Sequence, residues 1–175
     1  MKKIVCIFGM LFFLVTKGYG EETRIFTGSN SYFNYSISYP SDWQAINIYG
    51  FARIISPLEG TSDDFKENIW VTVADLSKKL RSLEEFNTMM LNKIIPLELS
   101  NFSLLSQGKT AIDGRETLFC IYKGTKDGKN LKYKRYSFKN NSSVYELTFE
   151  SKEVDFDKYL PKAENIIASV KVAQK

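Results

Sequence analysis

The chain has 175 residues, of which 43% are hydrophobic, and this length suits one domain with a substantial core. Its 24 basic and 20 acidic residues give a formal charge of +4, and it contains no histidine. The lack of histidine excludes Ser-His-Asp and Cys-His catalytic sites and the usual zinc, copper and non-haem iron sites. We therefore predict that the protein is not an enzyme and has no catalytic residues, no metal site and no cofactor.

The first twenty residues have the pattern of a secretory signal peptide. Two lysines precede an apolar stretch from Ile4 to Val15, and small residues follow at Gly18 and Gly20. We predict cleavage near Gly20, which leaves residues 21–175 as a single exported domain, periplasmic or secreted. Retention of the apolar stretch as a membrane anchor is the alternative.

Removal of the signal peptide changes the charge balance. It takes away three lysines and no acidic residue, so 21 basic residues remain against 20 acidic ones. This near-neutral balance gives no reason to expect nucleic acid as a partner. The mature chain keeps one cysteine, Cys120, in an apolar run typical of a strand. We predict a buried thiol there, with pairing between two chains as the alternative.

The first half of the mature chain has the patterns of β-strands. Apolar and polar residues alternate over Tyr35–Tyr39 until Pro40, which lacks the N–H needed to continue a ladder. Two more strands are predicted, at residues 24–27 and 69–76. Between them, residues 44–57 are predicted to form one long extended run with a bulge or bend at Gly50.

The periodicity then changes to that of a helix. Ser82 and Glu85 form a capping-box pattern, and apolar residues keep helical spacing from Leu83 to Leu97. Four strands are predicted after this helix, at residues 102–111, 115–123, 131–138 and 143–150. The segments "IDGR" and "KDGKN" between them are predicted hairpin turns, because Asp-Gly readily adopts positive φ angles.

A second helix is predicted from about Asp157, with Pro161 in its first turn. Its apolar stripe contains Leu160, Ala163, Ile167 and Val170. Strands joined by tight hairpins pair antiparallel, so the sequence predicts an α+β fold with one antiparallel β-sheet. Strands such as "WVTVA" and "LFCIY" are apolar on both sides. We therefore expect helices on both faces of the sheet, an αβα sandwich.

One segment, from Arg115 to Lys139, is strongly basic. It holds eight basic and two acidic residues, with tyrosines interleaved. We expect this hairpin to dock on an acidic envelope protein or an anionic membrane surface. The expected contacts are Lys123, Lys126, Lys129, Lys132, Lys134, Arg135 and Lys139. The alternative is that these side chains prevent aggregation at an exposed sheet edge.

A small-ligand carrier is the second hypothesis for the function. It would use an aromatic pocket between the sheet and a helix, lined by Trp43, Phe51, Trp70 and Tyr145. Simple core packing of these four side chains is the alternative. Under both hypotheses we expect a monomeric, non-enzymatic module.

Several stretches of the chain resemble the PsbP-like superfamily. They are "YFNYSISYPSDW", "IWVTVADL" before a helix that opens with "SLEEF", "GKTAIDGRETLF", and the final "IIASVKV". The resemblance covers roughly residues 30–172. It implies an exported bacterial relative, a sheet sandwiched between helices, and a non-enzymatic role. It implies no photosystem role, because the family's metal-related histidines have no counterpart here.

Overall fold

The computed structural model of the chain describes residues 22–30, 33–76 and 82–173. The predicted signal peptide lies outside the described residues. The strands are β1 (Thr23–Ser29), β2 (Asn34–Pro40), β3 (Gln44–Ile48), β4 (Phe51–Ile55), β5 (Asn68–Asp75), β6 (Ser100–Ile112), β7 (Arg115–Lys126), β8 (Lys129–Asn140), β9 (Ser143–Lys152) and β10 (Lys171–Val172). The helices are α1 (Leu83–Met89), a π-helical turn (Met90–Ile94), α2 (Ile95–Glu98) and α3 (Phe156–Ala168).

The strands form two antiparallel sheets, where the sequence predicted one. The larger sheet has seven strands in the order β3-β4-β5-β9-β8-β7-β6, and the smaller has the order β1-β2-β10. The division follows from Pro40, which ends β2 and lacks a donor for a further ladder bond. A turn closed by the Trp43 amide, which donates to the Pro40 carbonyl at 3.0 Å, then leads the chain into β3. The antiparallel α+β prediction is confirmed.

The extended run predicted over residues 44–57 is in fact a hairpin. Tyr49 and Gly50 adopt φ angles of 55° and 88°, the positive values that a two-residue hairpin turn requires. The side chain of Asn47 accepts a hydrogen bond from the Gly50 amide at 2.8 Å and fixes the turn. The two predicted Asp-Gly turns are confirmed, with positive φ at both of their residues.

The first helical segment begins as predicted, since the Ser82 hydroxyl accepts a hydrogen bond from the Glu85 amide at 3.1 Å. Pro96 has no amide hydrogen to donate to the preceding turn, and the chain forms a π-helical turn just before this residue.

The second predicted helix starts at Phe156, one residue earlier than predicted, so Pro161 lies in its second turn. The buried side of that helix also contains Tyr159 and Ile166, whereas Leu160 is only half-buried.

Neighbouring side chains of β8 join different apolar clusters. Tyr136 and Phe138 pack in the cluster that contains the buried side of α3. Leu131 and Tyr133 pack with Leu91, Ile95 and Leu99 of the π-helical turn and the α2 end. Cys120 belongs to this second cluster and is a buried free thiol, as predicted, and burial raises its pKa. A third cluster joins α1 to β7 and β9 through Phe86, Leu118 and Val144.

The two sheets meet closely at Gly28 of β1. A Cβ atom at this position would overlap the carbonyl oxygen of Gly50 and the ring of Tyr35. The Tyr35 hydroxyl donates to the same carbonyl at 3.2 Å, so both groups are held in place. Only glycine allows this approach of the β1–β2 pair to the β3–β4 turn.

We predict that Gly28→Ala lowers the free energy of unfolding by about 1–3 kcal/mol, because the backbone at Gly50 cannot move aside cheaply. Urea unfolding of the two proteins measures the difference. Gly108→Ala is the control, because there an added Cβ would meet only the ring of the half-buried Phe119. Equal losses in the two variants would contradict the tight joint between the sheets.

Candidate functional site

The basic residues predicted to dock lie on β7 and β8 and are mostly matched by acidic side chains. Five form ion pairs with carboxylates outside these strands: Lys123–Glu153, Lys129–Asp64, Lys132–Asp157, Lys134–Glu164 and Arg135–Glu146. Lys126 and Lys139 have no ion pair with any residue that the structure describes. Docking through these seven residues stays a prediction, with Lys126 and Lys139 as the members whose charge is least matched.

Arg135 is buried, with 2% of its surface exposed, and it holds α1 against the sheet. Its guanidinium pairs with Glu146 and donates to the side-chain oxygen of Asn87 at 2.8 Å. The same group lies 5.5 Å from the ring centre of Phe86. Its contacts are therefore internal, to α1 and β9.

We predict that Arg135→Met lowers the free energy of unfolding by about 3–5 kcal/mol, because it leaves the Glu146 carboxylate without its partner. The double variant Arg135→Met/Glu146→Leu should recover most of this loss, as urea unfolding would measure. Lys109→Met is the control, since the Lys109–Glu116 pair is exposed and contributes under about 1 kcal/mol. A double variant no more stable than Arg135→Met would contradict this assignment.

Three of the four aromatic residues predicted to line a pocket, Trp43, Phe51 and Tyr145, pack in or against one core cluster, and the fourth lies outside it. Trp43 and Tyr145 are buried in the cluster that packs on α3. The Tyr145 ring stacks on Phe138 at 5.3 Å, and Phe51 stacks on Phe33 at the same distance. Trp70 lies apart from them, with its side chain in a groove on the other side of β5.

This groove, of about 730 Å³, lies between the seven-stranded sheet and the π-helical turn with α2. The floor comes from β4, β5, β9, β8 and β7, and the turn between β7 and β8 lies at its mouth. Apolar side chains form much of the wall, among them Phe65, Trp70, Met90, Ile95, Leu99 and Leu131. A cavity of this size is within the range that small-molecule sites occupy.

The floor of the groove is polar because of the strand register. Cross-strand pairs share a face of the sheet, and two rows of such pairs cross it: Asn68–Glu150–Tyr133 and Arg53–Trp70–Thr148–Arg135. Four buried polar atoms in the described chain that have neither a hydrogen bond nor an ion pair belong to this face: Arg53 Nε, Asn68 Oδ1, Tyr133 OH and Ser137 Oγ. Of these residues, Arg53 and Tyr133 line the groove itself.

Charged groups at one end of the groove act on each other. Burial raises the pKa of the Glu150 carboxyl, and the charges of Lys126 and Arg53 oppose this effect. Burial also raises the pKa of the Tyr133 phenol, with further contributions from Glu150, Glu98 and Asp127. The Arg53 guanidinium lies 4.7 Å from the ring centre of Trp70.

Sequence reasoning missed this end of the groove. The polar residues of β4 and β9 were the available signal, since Arg53 lies between apolar residues of β4, and Glu146, Thr148 and Glu150 alternate with apolar residues along β9. Among the described residues, no group of three or more acidic or cysteine side chains could hold a metal ion. None of the described helices is long and apolar enough to cross a membrane.

A family model described as PsbP-like protein matches residues 20–172. The chain belongs to the PsbP-like family. This confirms the resemblance found in the sequence and covers nearly all of the described chain. A search of curated protein sequences finds no match.

Solved structures share this PsbP-like fold at low sequence identity. Cyanobacterial PsbP (CyanoP) from Synechocystis is 14% identical with a TM-score of 0.59, over 89% of this chain and 96% of its own. LpqN, involved in cell envelope biogenesis of Mycobacterium tuberculosis, is 11% identical with a TM-score of 0.60, over 86% and 91%. The Ran-binding protein Mog1p of Saccharomyces cerevisiae is 8% identical with a TM-score of 0.54, over 87% and 96%. These likenesses concern the fold alone.

Proposed function

We propose that this PsbP-like protein is an exported, non-enzymatic binding module of the cell envelope that holds a small ligand in its groove. The unpartnered polar atoms on the groove side of the sheet carry this proposal. A buried polar atom without a hydrogen bond costs about 1–3 kcal/mol, and such atoms are few in folded proteins. Their concentration on one face, two of them in residues that line a large groove, is typical of a site that a ligand completes.

Export to the envelope is supported by two separate observations. The N-terminal sequence has the pattern of a secretory signal peptide. One protein with a similar fold, LpqN, is described as involved in cell envelope biogenesis. The absence of histidine from the whole chain supports a binding role over catalysis, because it removes the commonest acid–base group.

We also infer that the helical segments cover opposite faces of the seven-stranded sheet. Side chains alternate along each strand, and Tyr136 and Tyr133 of β8, which are three positions apart, enter the α3 cluster and the α2 cluster respectively. In this arrangement α3 and the small sheet seal the apolar face. The π-helical turn and α2 cover only part of the polar face, which leaves the groove open.

Thr148 on the groove floor gives a direct test of ligand binding. Native mass spectrometry of the protein purified from its own cell envelope should show an additional bound mass. Thr148→Trp should remove that mass, because the indole fills the groove beside Trp70. The control is Thr23→Trp, which adds the same side chain at an exposed position on β1. Retention of the mass by Thr148→Trp, or no bound mass on the wild-type protein, would contradict the proposal.

Docking through the basic hairpin is the second candidate function. It is favoured by Lys126 and Lys139, which have no ion pair in the described chain, and by the exposure of Lys126, which lines the groove. Lysines with unmatched charge are the ones available to an acidic surface.

The double variant Lys126→Glu/Lys139→Glu tests the docking hypothesis. Co-sedimentation with phosphatidylglycerol vesicles at low salt should fall to the background level, because two attractive charges become repulsive. Lys93→Glu is the control, as this lysine is exposed on the π-helical turn and does not belong to the hairpin strands. Unchanged sedimentation of the double variant, or none by the wild-type protein, would argue against membrane docking.

A further inference from the structure

We propose that the groove binds a primary ammonium group carried on an apolar chain. The inference rests on the proposed function of the groove as a ligand site, and it specifies the chemistry of the ligand. It follows from three features: unpartnered hydrogen-bond acceptors on the groove side of the sheet, a half-buried carboxylate without an ion pair, and an apolar wall beside them.

The acceptors lie side by side on three neighbouring strands. Asn68 on β5 and Tyr133 on β8 are both cross-strand neighbours of Glu150 on β9. Asn68 and Tyr133 are 1% and 5% exposed, and the Asn68 amide oxygen and the Tyr133 hydroxyl have no hydrogen-bond partner. The Asn68 amide nitrogen already donates to the carbonyl of Lys66 at 3.3 Å. No hydrogen bond or ion pair joins the Glu150 carboxylate to another described residue.

This set requires a ligand that donates several hydrogen bonds from one point. An ammonium group has three N–H donors and no acceptor, which complements the Glu150 carboxylate and the Tyr133 phenol oxygen that line the groove. Asn68, the other neighbour of Glu150, lies beside them without lining the groove. A hydrogen bond from a charged donor to a carboxylate is also stronger than one between neutral groups.

The charges in the groove favour a cation. Arg135 and Lys129 are paired with Glu146 and Asp64, so they leave no free positive charge. The charged lining that remains is three carboxylates against two cations: Glu98, Asp127 and Glu150 against Arg53 and Lys126. Lys126, Glu98 and Asp127 are all exposed and solvated by water, so the half-buried charges that remain are Glu150 and Arg53. The Arg53 guanidinium lies over the Trp70 ring, and the Glu150 carboxylate has no ion pair in the described chain.

The walls favour an organic cation over a metal ion. The three carboxylates do not form a metal-binding group within the described chain. Met90, Ile95 and Leu99 line the groove opposite the acceptors and offer contacts to methylene groups. The Tyr133 ring stacks on Tyr122 at 5.0 Å, and both rings line the groove, where aromatic faces attract an ammonium group.

An anionic ligand suits the groove less well. Arg53 Nε and the Tyr133 hydroxyl are the unpartnered buried donors of groove-lining residues in the described chain, once the Arg135–Glu146 pair is set aside. The Arg53 guanidinium already rests on the ring of Trp70. An anion that accepted a hydrogen bond from Tyr133 would lie close to the cross-strand neighbour Glu150, whose carboxylate would repel it.

Titration of the purified protein with n-hexylamine, followed by Trp fluorescence and calorimetry, tests the inference. The fluorescence change should disappear in Trp70→Phe, while calorimetry still detects binding. The neutral 1-hexanol and the anionic hexanoate have the same chain length. We expect n-hexylamine to bind at least about tenfold more tightly than either, because only the ammonium group donates to both lining acceptors and carries the charge opposite to that of Glu150.

Two conservative variants locate the ammonium group. Glu150→Gln keeps the side-chain shape and should weaken n-hexylamine about tenfold or more, with little effect on 1-hexanol. Tyr133→Phe should also weaken n-hexylamine, with no loss of thermal stability, because its hydroxyl has no partner in the folded protein. The control is Glu84→Gln, an exposed residue on α1, which should bind n-hexylamine like the wild-type protein.

The outcomes separate this inference from the proposed function. If 1-hexanol or hexanoate binds as tightly as n-hexylamine, or if Glu150→Gln keeps wild-type affinity, the ammonium assignment is wrong while the groove remains a ligand site. If none of the three probes binds, and Thr148→Trp and wild type carry the same masses, both are wrong. A peptide with one lysine that binds more tightly than n-hexylamine, and loses binding on lysine acetylation, would support an ammonium group supplied by a protein.

Discussion

The buried Arg135–Glu146 ion pair is the interaction on which the groove depends. It joins β8 to β9 in the floor, and through the bond from Arg135 to Asn87 it also fixes α1. Helix α1 continues into the π-helical turn and α2, which carry the apolar wall. The guanidinium therefore sets the distance between wall and floor together with the apolar packing of the helical segments on the sheet. Its strength comes from burial, because the pair is shielded from water and salt, whereas exposed pairs of the same chemistry contribute little.

The basic hairpin illustrates how folding changes the meaning of a charge pattern. In the sequence its lysines outnumber nearby acids, and they look like one cationic surface. In the fold, acids from the 60–68 loop, the β9–α3 turn and α3 lie against them, as in the Lys123–Glu153 pair at 2.7 Å and the Lys132–Asp157 pair at 3.2 Å. These partners are 25 to 65 residues away along the chain. The net charge of a segment indicates a docking surface only when residues that form ion pairs within the fold are left out of the count.

Local signals were sufficient for much of the fold but not for the site. The Ser82 cap, the Asp-Gly turns and the alternation that ends at Pro40 depend on residues close in sequence, so the pattern alone predicts them. The second sheet and the Tyr49–Gly50 hairpin were missed, the first because pairing of β2 with β10 is long-range, the second because tyrosine is not a typical turn residue. The groove was missed for a similar reason. Whether Asn68 faces Tyr133, 65 positions later, depends on the register of three strands.

Polar residues on the groove face therefore fall into two groups with different consequences. Arg135 and Glu146 satisfy each other, and their contribution is to the position of the helical wall. The Glu150 carboxylate and the Tyr133 hydroxyl have no hydrogen-bond or ion-pair partner within the described chain, and burial raises the pKa of both. A raised carboxyl pKa means that the ionised form of Glu150 is destabilised by the fold, and any group that donates hydrogen bonds to the carboxylate reverses that effect. Burial of the Glu150 carboxylate lowers the stability of the folded protein. A cationic ligand that binds this carboxylate regains that free energy as binding free energy.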